Sequence, residues 1–388
     1  MELKEGYKQT VIGVIPDDWK ITSIGDFAPL QRGFDLPNRD RVSGIYPVVY
    51  SNGIVNFHNE SQVKGPGVVT GRSGTIGKIH YVESNYWPHN TTLWVTRFHN
   101  AYPKYVYYLY LKVGFSRFSS GSGVPTLNRN DAHSYKLAVP ESVEEQTAIA
   151  NALSDTDALI QSLTGLITKK RQIKQGVMQA LLNPYENGRL KEGWVVKTLG
   201  EVATFINGRA YSLFEWEAQG TPVIRLQNLT GRGEKYYYSN LKLPDKQYCV
   251  SGDLLFMWSA TFGPKIWKGE KAIYHYHIWK IECKPGEADK TYLFYILDDL
   301  TERLKRSSSS GGTMLHVTKG KMESTEVFFP EFDEQVRIAT ILTDMDDNIT
   351  MLETKLVKYQ QIKQGMMQNL LTGRIRLVKP EGKAGAAV

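Results

Sequence analysis

The stretch QIKQGVMQALL, at residues 172–182, occurs again as QIKQGMMQNLL at residues 361–371, an offset of 189. Upstream, EEQTAIANALSDTDALI (144–160) matches DEQVRIATILTDMDDNI (333–349) at the same offset. Both regions are nearly free of Gly and Pro. Their apolar residues recur largely at alternating spacings of four and three, which is typical of a helix with a coiled-coil seam. The repeat therefore predicts one long helix in each half of the chain.

The seam of these helices can be assigned residue by residue. It consists of Met345, Ile349, Leu352, Leu356, Tyr359, Met366 and Leu370 in the second helix, and of Thr156, Ile160, Leu163, Ile167, Lys170, Val177 and Leu181 in the first. A helix of about 38 residues is about 57 Å long, which is too long for one strand-rich domain to bury its apolar stripe. We therefore expect the two helices to pack on each other.

The remainder of the chain is duplicated as well. WKITSIGDFA (19–28) matches WVVKTLGEVA (194–203) at an offset of 175, so the two copies differ in the length of their middle loops. Each copy begins with short alternating runs such as YPVVY (46–50), which predict strands. Each also contains one further helix candidate, KYVYYLYLKV (104–113) or KTYLFYILDDLTERLKR (290–306). The pattern predicts two domains of strands and short helices, each followed by a long helix.

Bulk composition narrows the class of partner. The chain has 388 residues, a net charge of +7 and a pI of about 9.0, which suggests a polyanionic partner. Its two cysteines, Cys249 and Cys283, form neither a C-x-x-C pair nor a disulfide framework. The N-terminal sequence lacks the apolar region of a signal peptide, and no apolar run is long enough to span a membrane. We therefore expect a cytoplasmic protein.

The repeated motifs are similar to those of one protein family. They are a Pro followed by a Glu-Gln pair and an Ile (Pro140, Glu145, Gln146 and Ile149; Pro330, Glu334, Gln335 and Ile338), the two QIKQG-x-MQ-x-LL helix ends, LLTGRIRL (370–377) and GYKQTVIGVIPDDW (6–19). In this order and duplication they resemble the specificity subunit of Type I restriction–modification systems. The resemblance covers essentially the whole chain.

The resemblance implies an α/β (α+β) fold with an internal pseudo-two-fold repeat. Two mixed α/β target-recognition domains would be joined by two long helices that form an antiparallel coiled coil. The implied boundaries are 1–143 for the first target-recognition domain, 144–183 for the first helical region, 184–332 for the second target-recognition domain, 333–375 for the second helical region and 376–388 for a disordered tail.

The resemblance also implies a function. Each recognition domain would read one half of a split double-stranded DNA sequence, and the helices would bind two modification subunits, which a restriction subunit joins. S-adenosylmethionine, ATP and Mg would be bound by those partners, so no catalytic residue, metal or cofactor is expected in this chain. Because the loops of the copies differ, we expect an asymmetric bipartite target whose halves lie one helical turn, ~34–36 Å, apart.

Loop residues of the types that contact DNA are the candidate binding residues. Arg and Lys reach guanine or phosphate, Asn and Gln reach adenine, and small hydroxyl groups contact either. In the first domain the candidates are Gln31, Arg32, Arg39, Ser51, Asn52, Arg72, Ser73, Thr75, Lys78, Ser120, Ser122, Asn128 and Arg129. In the second domain they are Asn207, Arg209, Arg225, Gln227, Asn228, Trp258, Ser259, Thr261, Lys265, Ser309 and Thr313.

Identical polar residues on the two helices are the candidate partner-binding residues. They are Gln172, Lys174, Gln175 and Gln179 in the first helix, and Gln361, Lys363, Gln364 and Gln368 in the second. Packing along a seam does not require such identity, and the strand-rich parts have diverged much further. Two equal polar faces therefore predict two equal docking sites.

The glycine-rich stretch VTGRSGTIGKIHY (69–81) resembles a phosphate-binding loop but lacks its spacing. Five residues separate Gly71 from Gly77, and Ile79 follows Lys78 where such a loop needs Ser or Thr for the metal. The alternation after it predicts a strand rather than a helix. We interpret it as a turn whose basic side chains are directed toward DNA.

Two fragments suggest chemistry within the chain. NPY (183–185) lacks the second proline of an adenine methyltransferase site. His275 and His277 share a strand face as metal ligands do, but the residues aligned with them in the first copy are Asn90 and Thr92, which excludes a symmetric metal site. Two alternative functions stay open, a self-contained DNA methyltransferase or nuclease, and a coiled-coil adaptor that does not bind nucleic acid.

Overall fold

The computed structural model of the protein describes residues 3, 5–120, 125–233, 235–259, 261–308 and 317–377. The chain divides into a first unit, residues 1–166 with 352–388, and a second unit, residues 167–351. Each unit contains one strand-rich copy, the beginning of that copy's long helix and the end of the other copy's long helix. The sequence duplication is therefore matched by two units of the same make-up.

The first unit is built on two sheets. Its strands are β1 (Tyr7–Thr10), β2 (Gly13–Pro16), β3 (Trp19–Ser23), β4 (Leu30–Arg32), β5 (Tyr46–Tyr50), β6 (Gly53–His58), β7 (Gly67–Gly71), β8 (Ile79–Val82), β9 (Trp87–Pro88), β10 (Thr92–Val95), β11 (Ser119–Ser120), β12 (Thr126–Leu127) and β13 (Lys136–Pro140). Its helices are α1 (Ile24–Phe27), α2 (Pro103–Val113), α3 (Arg129–Ser134) and the beginning of α4 (Val143–Leu182). One sheet has the order β4-β10-β7-β8 and the other β6-β5-β9, while β3 pairs with β13 and β1 with β2.

The second unit repeats this plan. Its strands are β14 (Tyr185–Glu186), β15 (Arg189–Leu190), β16 (Val195–Thr198), β17 (Ala203–Asn207), β18 (Thr221–Ile224), β19 (Tyr237–Ser239), β20 (Tyr248–Cys249), β21 (Leu254–Ser259), β22 (Thr261–Ile266), β23 (Ala272–Tyr274), β24 (Ile278–Cys283) and β25 (Glu326–Phe329). Its helices are α5 (Leu199–Val202), α6 (Leu226–Thr230), α7 (Lys290–Ser308), α8 (Lys319–Glu323) and the beginning of α9 (Phe332–Leu370). The sheet orders β17-β24-β21-β22 and β19-β18-β23-β20 correspond to those of the first unit, with β20 added.

Within each unit the two long helices run antiparallel. In the first unit Asp157, in the first half of α4, binds Lys363 near the end of α9, with 2.5 Å between Oδ1 and Nζ. In the second unit Lys174, near the end of α4, binds Asp346 in the first half of α9 at the same distance. These contacts confirm the α/β fold class with paired long helices.

The predicted seam is buried in part. Leu163, Ile167 and Ile349 are buried, and most of the other predicted positions are half-buried. Lys170 is exposed, however, so the prediction was wrong at this position. Charged Lys side chains keep their ammonium group in water unless they are paired, and Lys170 follows this rule.

A triad of Tyr, Asp and Lys recurs in both units and fastens each domain to the helices. In the first unit the Tyr108 hydroxyl on α2 donates to Asp157 at 2.8 Å, and Asp157 also binds Lys363. In the second, the hydroxyl of Tyr295 on α7 donates to Asp346 at 2.8 Å, beside the Lys174 contact. The lysine always comes from the other copy. The recurrence of this lysine in both copies is therefore explained by its ion pair with an aspartate of the same chain.

The buried glutamine of the Glu-Gln motif forms a second recurring anchor. The Gln146 amide donates to the Pro140 carbonyl at 3.0 Å and accepts from the Tyr102 amide at 2.8 Å, just before α2. Gln335 does the same with the Pro330 carbonyl and the Asp289 amide, just before α7. The motif thus ties the start of each long helix to the helix of its own domain.

The segment after α9 continues the first unit. Gly373 ends the helix region in the left-handed conformation (φ 70°), and an added Cβ there would lie 2.5 Å from Pro16. Arg376 is 13% exposed and binds Glu145 and Asp18. A tail boundary at residue 376 is therefore too early. Residues 378–388 lie outside the described part, so a disordered tail there stays a prediction.

Among the described residues, no helix is both long and apolar enough to span a membrane.

Candidate nucleic-acid interface

The loops that carry most DNA-contact candidates are held in the same backbone frame in both units. Four main-chain hydrogen bonds of the first unit have an equivalent in the second unit. Gly33 N to Thr92 O corresponds to Gly208 N to Ile278 O, and Phe34 N to Pro88 O corresponds to Arg209 N to Tyr274 O. His89 N to Val49 O corresponds to His275 N to Ile224 O, and Arg72 N to Thr91 O corresponds to Trp258 N to His277 O. All eight distances lie between 2.8 and 3.2 Å. The loops of the two units are therefore equivalent in backbone position.

The frame explains one glycine that recurs in both copies. A Cβ added to Gly33 would lie 2.3 Å from the carbonyl oxygens of Pro88 and His89. A Cβ added to Gly208 would lie 2.3 Å from the carbonyl oxygen of His275. Only glycine permits this close backbone approach, which brings the loop after β4 or β17 against the loop before β10 or β24.

This frame corrects the sequence alignment by one residue. His275 is equivalent to His89 and His277 to Thr91, rather than to Asn90 and Thr92. A histidine therefore occurs in both copies at one position. No group of three or more His, Cys, Asp or Glu side chains in the described ranges has the arrangement of a metal site.

In the first unit the frame gathers several predicted residues around His89. The Arg72 guanidinium donates from Nε to the Asn90 carbonyl at 3.3 Å. Ser73 forms a bridge with Thr126, and the Tyr50 and His89 rings lie 4.3 Å apart. The glycine-rich stretch is thus a turn between β7 and β8. Tyr50, His89 and Asn90 are residues that the sequence analysis missed.

The other candidates of the first unit have different settings. Gln31, Arg32, Arg39, Asn52, Lys78, Asn128 and Arg129 are exposed, whereas Ser51 and Thr75 are half-buried. Arg32 faces Asp35 at 3.8 Å and Arg39 faces Asp40 at 3.5 Å, which are weak contacts between exposed side chains. Ser120 lies in β11 opposite Thr126. Ser122 lies outside the described residues.

The second unit has an aromatic and cationic cluster in the same frame. The Tyr211 and Trp216 rings stack with centroids 4.8 Å apart, and Trp216 lies 4.7 Å from Tyr237. The Arg209 guanidinium lies 4.4 Å from the Tyr211 ring, and that of Arg225 lies 4.0 Å from the Tyr237 ring. Each guanidinium is thus held by a ring face and by a side-chain acceptor, which is Glu215 for Arg209 and, when its amide is turned toward it, Gln227 for Arg225.

Two ionisable groups in this cluster have shifted pKa values. The hydrogen bond from Arg209 lowers the pKa of Glu215 to about 2, so this carboxylate is charged and holds the guanidinium. Burial, together with the nearby His277 and Arg225, lowers the pKa of His275 to about 4. His275 is therefore neutral near pH 7 and offers one donor and one acceptor nitrogen.

Some of the remaining candidates of the second unit form hydrogen bonds within their own loops, and others are exposed or half-buried. The Asn228 side chain accepts from the Arg225 amide at 2.9 Å and donates to the Gly233 carbonyl at 3.1 Å, so it closes its own loop. The Trp258 indole donates to the Tyr276 carbonyl at 2.7 Å. Asn207 and Lys265 are exposed, and Gln227, Ser259 and Thr261 are half-buried. Ser309 and Thr313 lie outside the described residues.

The predicted docking residues on the helices fall into two groups. The six glutamines are exposed, and they are Gln172, Gln175, Gln179, Gln361, Gln364 and Gln368. The side chains of Lys174 and Lys363 are only 18% and 23% exposed and bind Asp346 and Asp157. The glutamines are thus accessible, while the two lysines have partners inside the chain.

A duplicated frame with divergent loop side chains is the arrangement expected of a protein with two recognition domains of different specificity. The profile of the family described as "Type I restriction modification DNA specificity domain" matches residues 16–175 and again residues 191–364. The chain therefore belongs to the DNA specificity subunits of Type I restriction–modification systems.

Individual relatives agree with this assignment. The chain is 24% identical over 419 residues to the Type I restriction enzyme MjaVIII specificity subunit of Methanocaldococcus jannaschii, covering 96% of this chain and 97% of the relative. A putative MjaX specificity subunit of the same organism is 24% identical over 423 residues, with the same shares covered.

Solved structures show the same fold. The S subunit of a Type I restriction–modification system from M. genitalium superposes with a TM-score of 0.63 at 14% identity, covering 95% of this chain and 98% of that one. A chain from a structural study of complex assembly and conformational transition of the type I R-M system superposes with a TM-score of 0.55, also at 14% identity, covering 93% and 99%. At these identities the likeness establishes the fold alone.

Proposed function

We propose that this specificity subunit reads an asymmetric bipartite DNA target, with one half contacted by each recognition domain. The observation that carries the proposal is the conserved backbone frame with exchanged side chains. Phe34 is replaced by Arg209, and Arg72 by Trp258, at positions with the same main-chain hydrogen bonds. Changing the side chains on a constant frame changes which bases are read, because base edges are distinguished by donor and acceptor pattern.

The proposal predicts a definite outcome for methylation mapping. DNA from the host with this gene is expected to carry methylated adenines in one bipartite sequence whose two halves differ. DNA from a strain that lacks only this gene is expected to lose that methylation. Methylation confined to one short contiguous sequence, or unchanged by the deletion, would contradict the proposal.

We also propose that the protein is a non-catalytic subunit located in the cytoplasm. Methylation, ATP hydrolysis and cleavage would be carried out by modification and restriction subunits, which would bind S-adenosylmethionine, ATP and Mg. The proposal is supported by the described loops of the second unit, which carry contacts between guanidinium groups and aromatic rings. A purified chain that alone methylates or nicks DNA would favour the enzyme alternative instead.

The exposed glutamines on α4 and α9 are proposed to bind the two modification subunits. Replacing Gln175 and Gln364 together with Glu is expected to weaken binding of the modification subunit about tenfold, because a carboxylate must be desolvated where an amide was hydrogen-bonded. Titration calorimetry of the purified subunits would measure this. The fold should be unchanged, since both side chains are exposed.

A matched pair of substitutions controls for charge. Gln62→Glu with Gln219→Glu adds the same two negative charges at exposed positions of the two units, away from the helices. This control is expected to bind the modification subunit as the unaltered chain does. Equal weakening in both variants would assign the effect to net charge and remove the docking proposal.

A further inference from the structure

Each unit has a groove at the same place in its fold. In the first unit it encloses about 550 Å³ between β2, β13, α2 and the segment that follows α9. In the second unit it encloses about 440 Å³ between β25, α7, the end of α4 and the start of β14. Leu109 and Leu371 line the first groove, and their equivalents Ile296 and Leu182 line the second.

The two grooves differ in charge: the first is cationic, and the second has equal numbers of cationic and anionic side chains. Among the described residues, the first is lined by Lys112, Arg117, Lys136 and Arg374 and by no carboxylate. Lys136, the first residue of β13, is replaced by Glu326, the first residue of β25. Lys112 is four residues after the triad tyrosine of α2, and the same position of α7 is Asp299.

The charges of the second groove compensate one another, whereas those of the first do not. Arg303 binds Asp299 at 2.9 Å across one helical turn. In the first groove Lys112 donates to the Leu371 carbonyl at 2.8 Å, and Arg117 to the Tyr135 hydroxyl at 2.7 Å, so both cations have neutral partners. A ligand with negative charge would therefore be attracted to the first groove only.

The walls of the first groove are strand edges. Consecutive residues 12–15 and 135–138 line it, although alternate side chains of a strand point to opposite faces. A run of consecutive residues lines one space when the edge of the strand faces that space. Within the described ranges β13 pairs only with β3 and β2 only with β1, so each has an edge without a strand partner.

Apolar side chains accompany this open edge. Ile12 is 41% exposed and Val14 is 47% exposed. Exposed strand edges bind extended peptides through main-chain hydrogen bonds, while pockets for alternate side chains provide specificity. Apolar and cationic lining together fit a strand in which apolar and acidic residues alternate. Duplex DNA fits less well, because it offers no main chain to pair with a strand edge and no apolar side chains.

We propose that the groove of the first unit binds an extended acidic segment of a partner protein, and that the equivalent groove of the second unit does not. One such segment would bind per chain. This would distinguish the two units of a chain whose helices otherwise carry equal polar faces. The proposal is independent of DNA recognition, because none of the groove residues belongs to the recognition loops.

Selection of displayed random ten-residue peptides on the full chain tests the proposal. The enriched peptides are expected to alternate apolar residues with Asp or Glu. A synthetic peptide of the enriched sequence is expected to bind at least about tenfold more weakly when Lys136 and Arg374 are both replaced by Glu. Both side chains are exposed, so these substitutions should leave the fold intact.

Two control variants make the test specific. Lys64→Glu with Arg97→Glu changes the net charge equally at exposed positions of the same unit, and Glu326→Arg alters the second groove. The first is expected to bind the peptide as the unaltered chain does, and the second, whose second groove becomes cationic, is expected to bind it at least as well. Enrichment without acidic residues, or equal weakening in the first control, would overturn the proposal. Competition by a non-specific DNA duplex that disappears in the groove variant would assign the groove to nucleic acid instead.

Discussion

Replacing Arg376 with Met is expected to lower the free energy of unfolding by about 3–5 kcal/mol, the usual cost of removing one partner of a buried ion pair. Arg376 is 13% exposed and Glu145 only 2% exposed. Glu145 also accepts from the Trp19 indole at 3.2 Å. Without Arg376 this buried carboxylate keeps one neutral donor and loses its compensating charge. Urea unfolding of the full chain measures the effect.

Two further variants separate the buried pair from general loss of charge. Arg374→Met removes an exposed cation two residues away and is expected to change stability by less than about 0.5 kcal/mol. Adding Glu145→Gln to Arg376→Met is expected to recover part of the loss, because a neutral amide can still accept from Trp19. If the single and double variants are equally unstable, the ion pair is not the cause. Asp18 is 53% exposed, so its own contact with Arg376 contributes little.

The long helices and the duplicated fold were predictable because their information is local and periodic. The sequence predicts helical regions at 144–183 and 333–375, and the structure has helices at Val143–Leu182 and Phe332–Leu370. The helix candidates at 104–113 and 290–306 are confirmed as Pro103–Val113 and Lys290–Ser308. Apolar spacing determines such elements without long-range contacts, and acidic first turns also mark the starts of the two long helices.

The candidate interface was harder to predict because it is assembled from distant loops. Arg72 and Asn90 are 18 residues apart, and Arg209 and His275 are further apart still, yet both pairs are adjacent in the fold. A loop of changed length shifts an alignment without leaving a local signal. This is why the histidines of the second copy were compared with residues one position too late. The repeated glycines were the only available signal of where the backbones approach.

The recurrence of polar residues had two causes that sequence alone does not separate. Lys174 and Lys363 recur because each completes a triad in the unit of the other copy. The glutamines beside them have exposed side chains. A polar residue that is identical in both copies is therefore under a constraint. Where its side chain is buried, a contact within the chain explains the identity, as it does for the two lysines.

Replacing Arg225 with Ala is expected to lower affinity for the mapped target by about 5- to 150-fold, the equivalent of one bidentate base contact of about 1–3 kcal/mol. The Arg225 guanidinium lies 4.0 Å from the Tyr237 ring, and its Nε is 3.1 Å from the Gln227 amide oxygen when that amide is turned toward it. A guanidinium held in this way loses little conformational freedom on binding, so most of its contact energy contributes to affinity. Fluorescence anisotropy with the target duplex measures the change.

The pattern of loss across DNA sequences decides whether Arg225 reads a base. For a base contact, affinity for a duplex with the second half-site scrambled should hardly change, and Arg225→Lys should not restore specificity, because lysine lacks the planar fork. Arg72→Ala, at the position of the first unit that is equivalent to Trp258, should act only through the other half-site. If Arg225→Ala instead weakens binding to all sequences alike and reduces the salt dependence by about one phosphate contact, Arg225 positions the DNA backbone. In that case the specificity of the second domain must reside elsewhere in its cluster, where Arg209 and His275 are further groups able to contact a base edge.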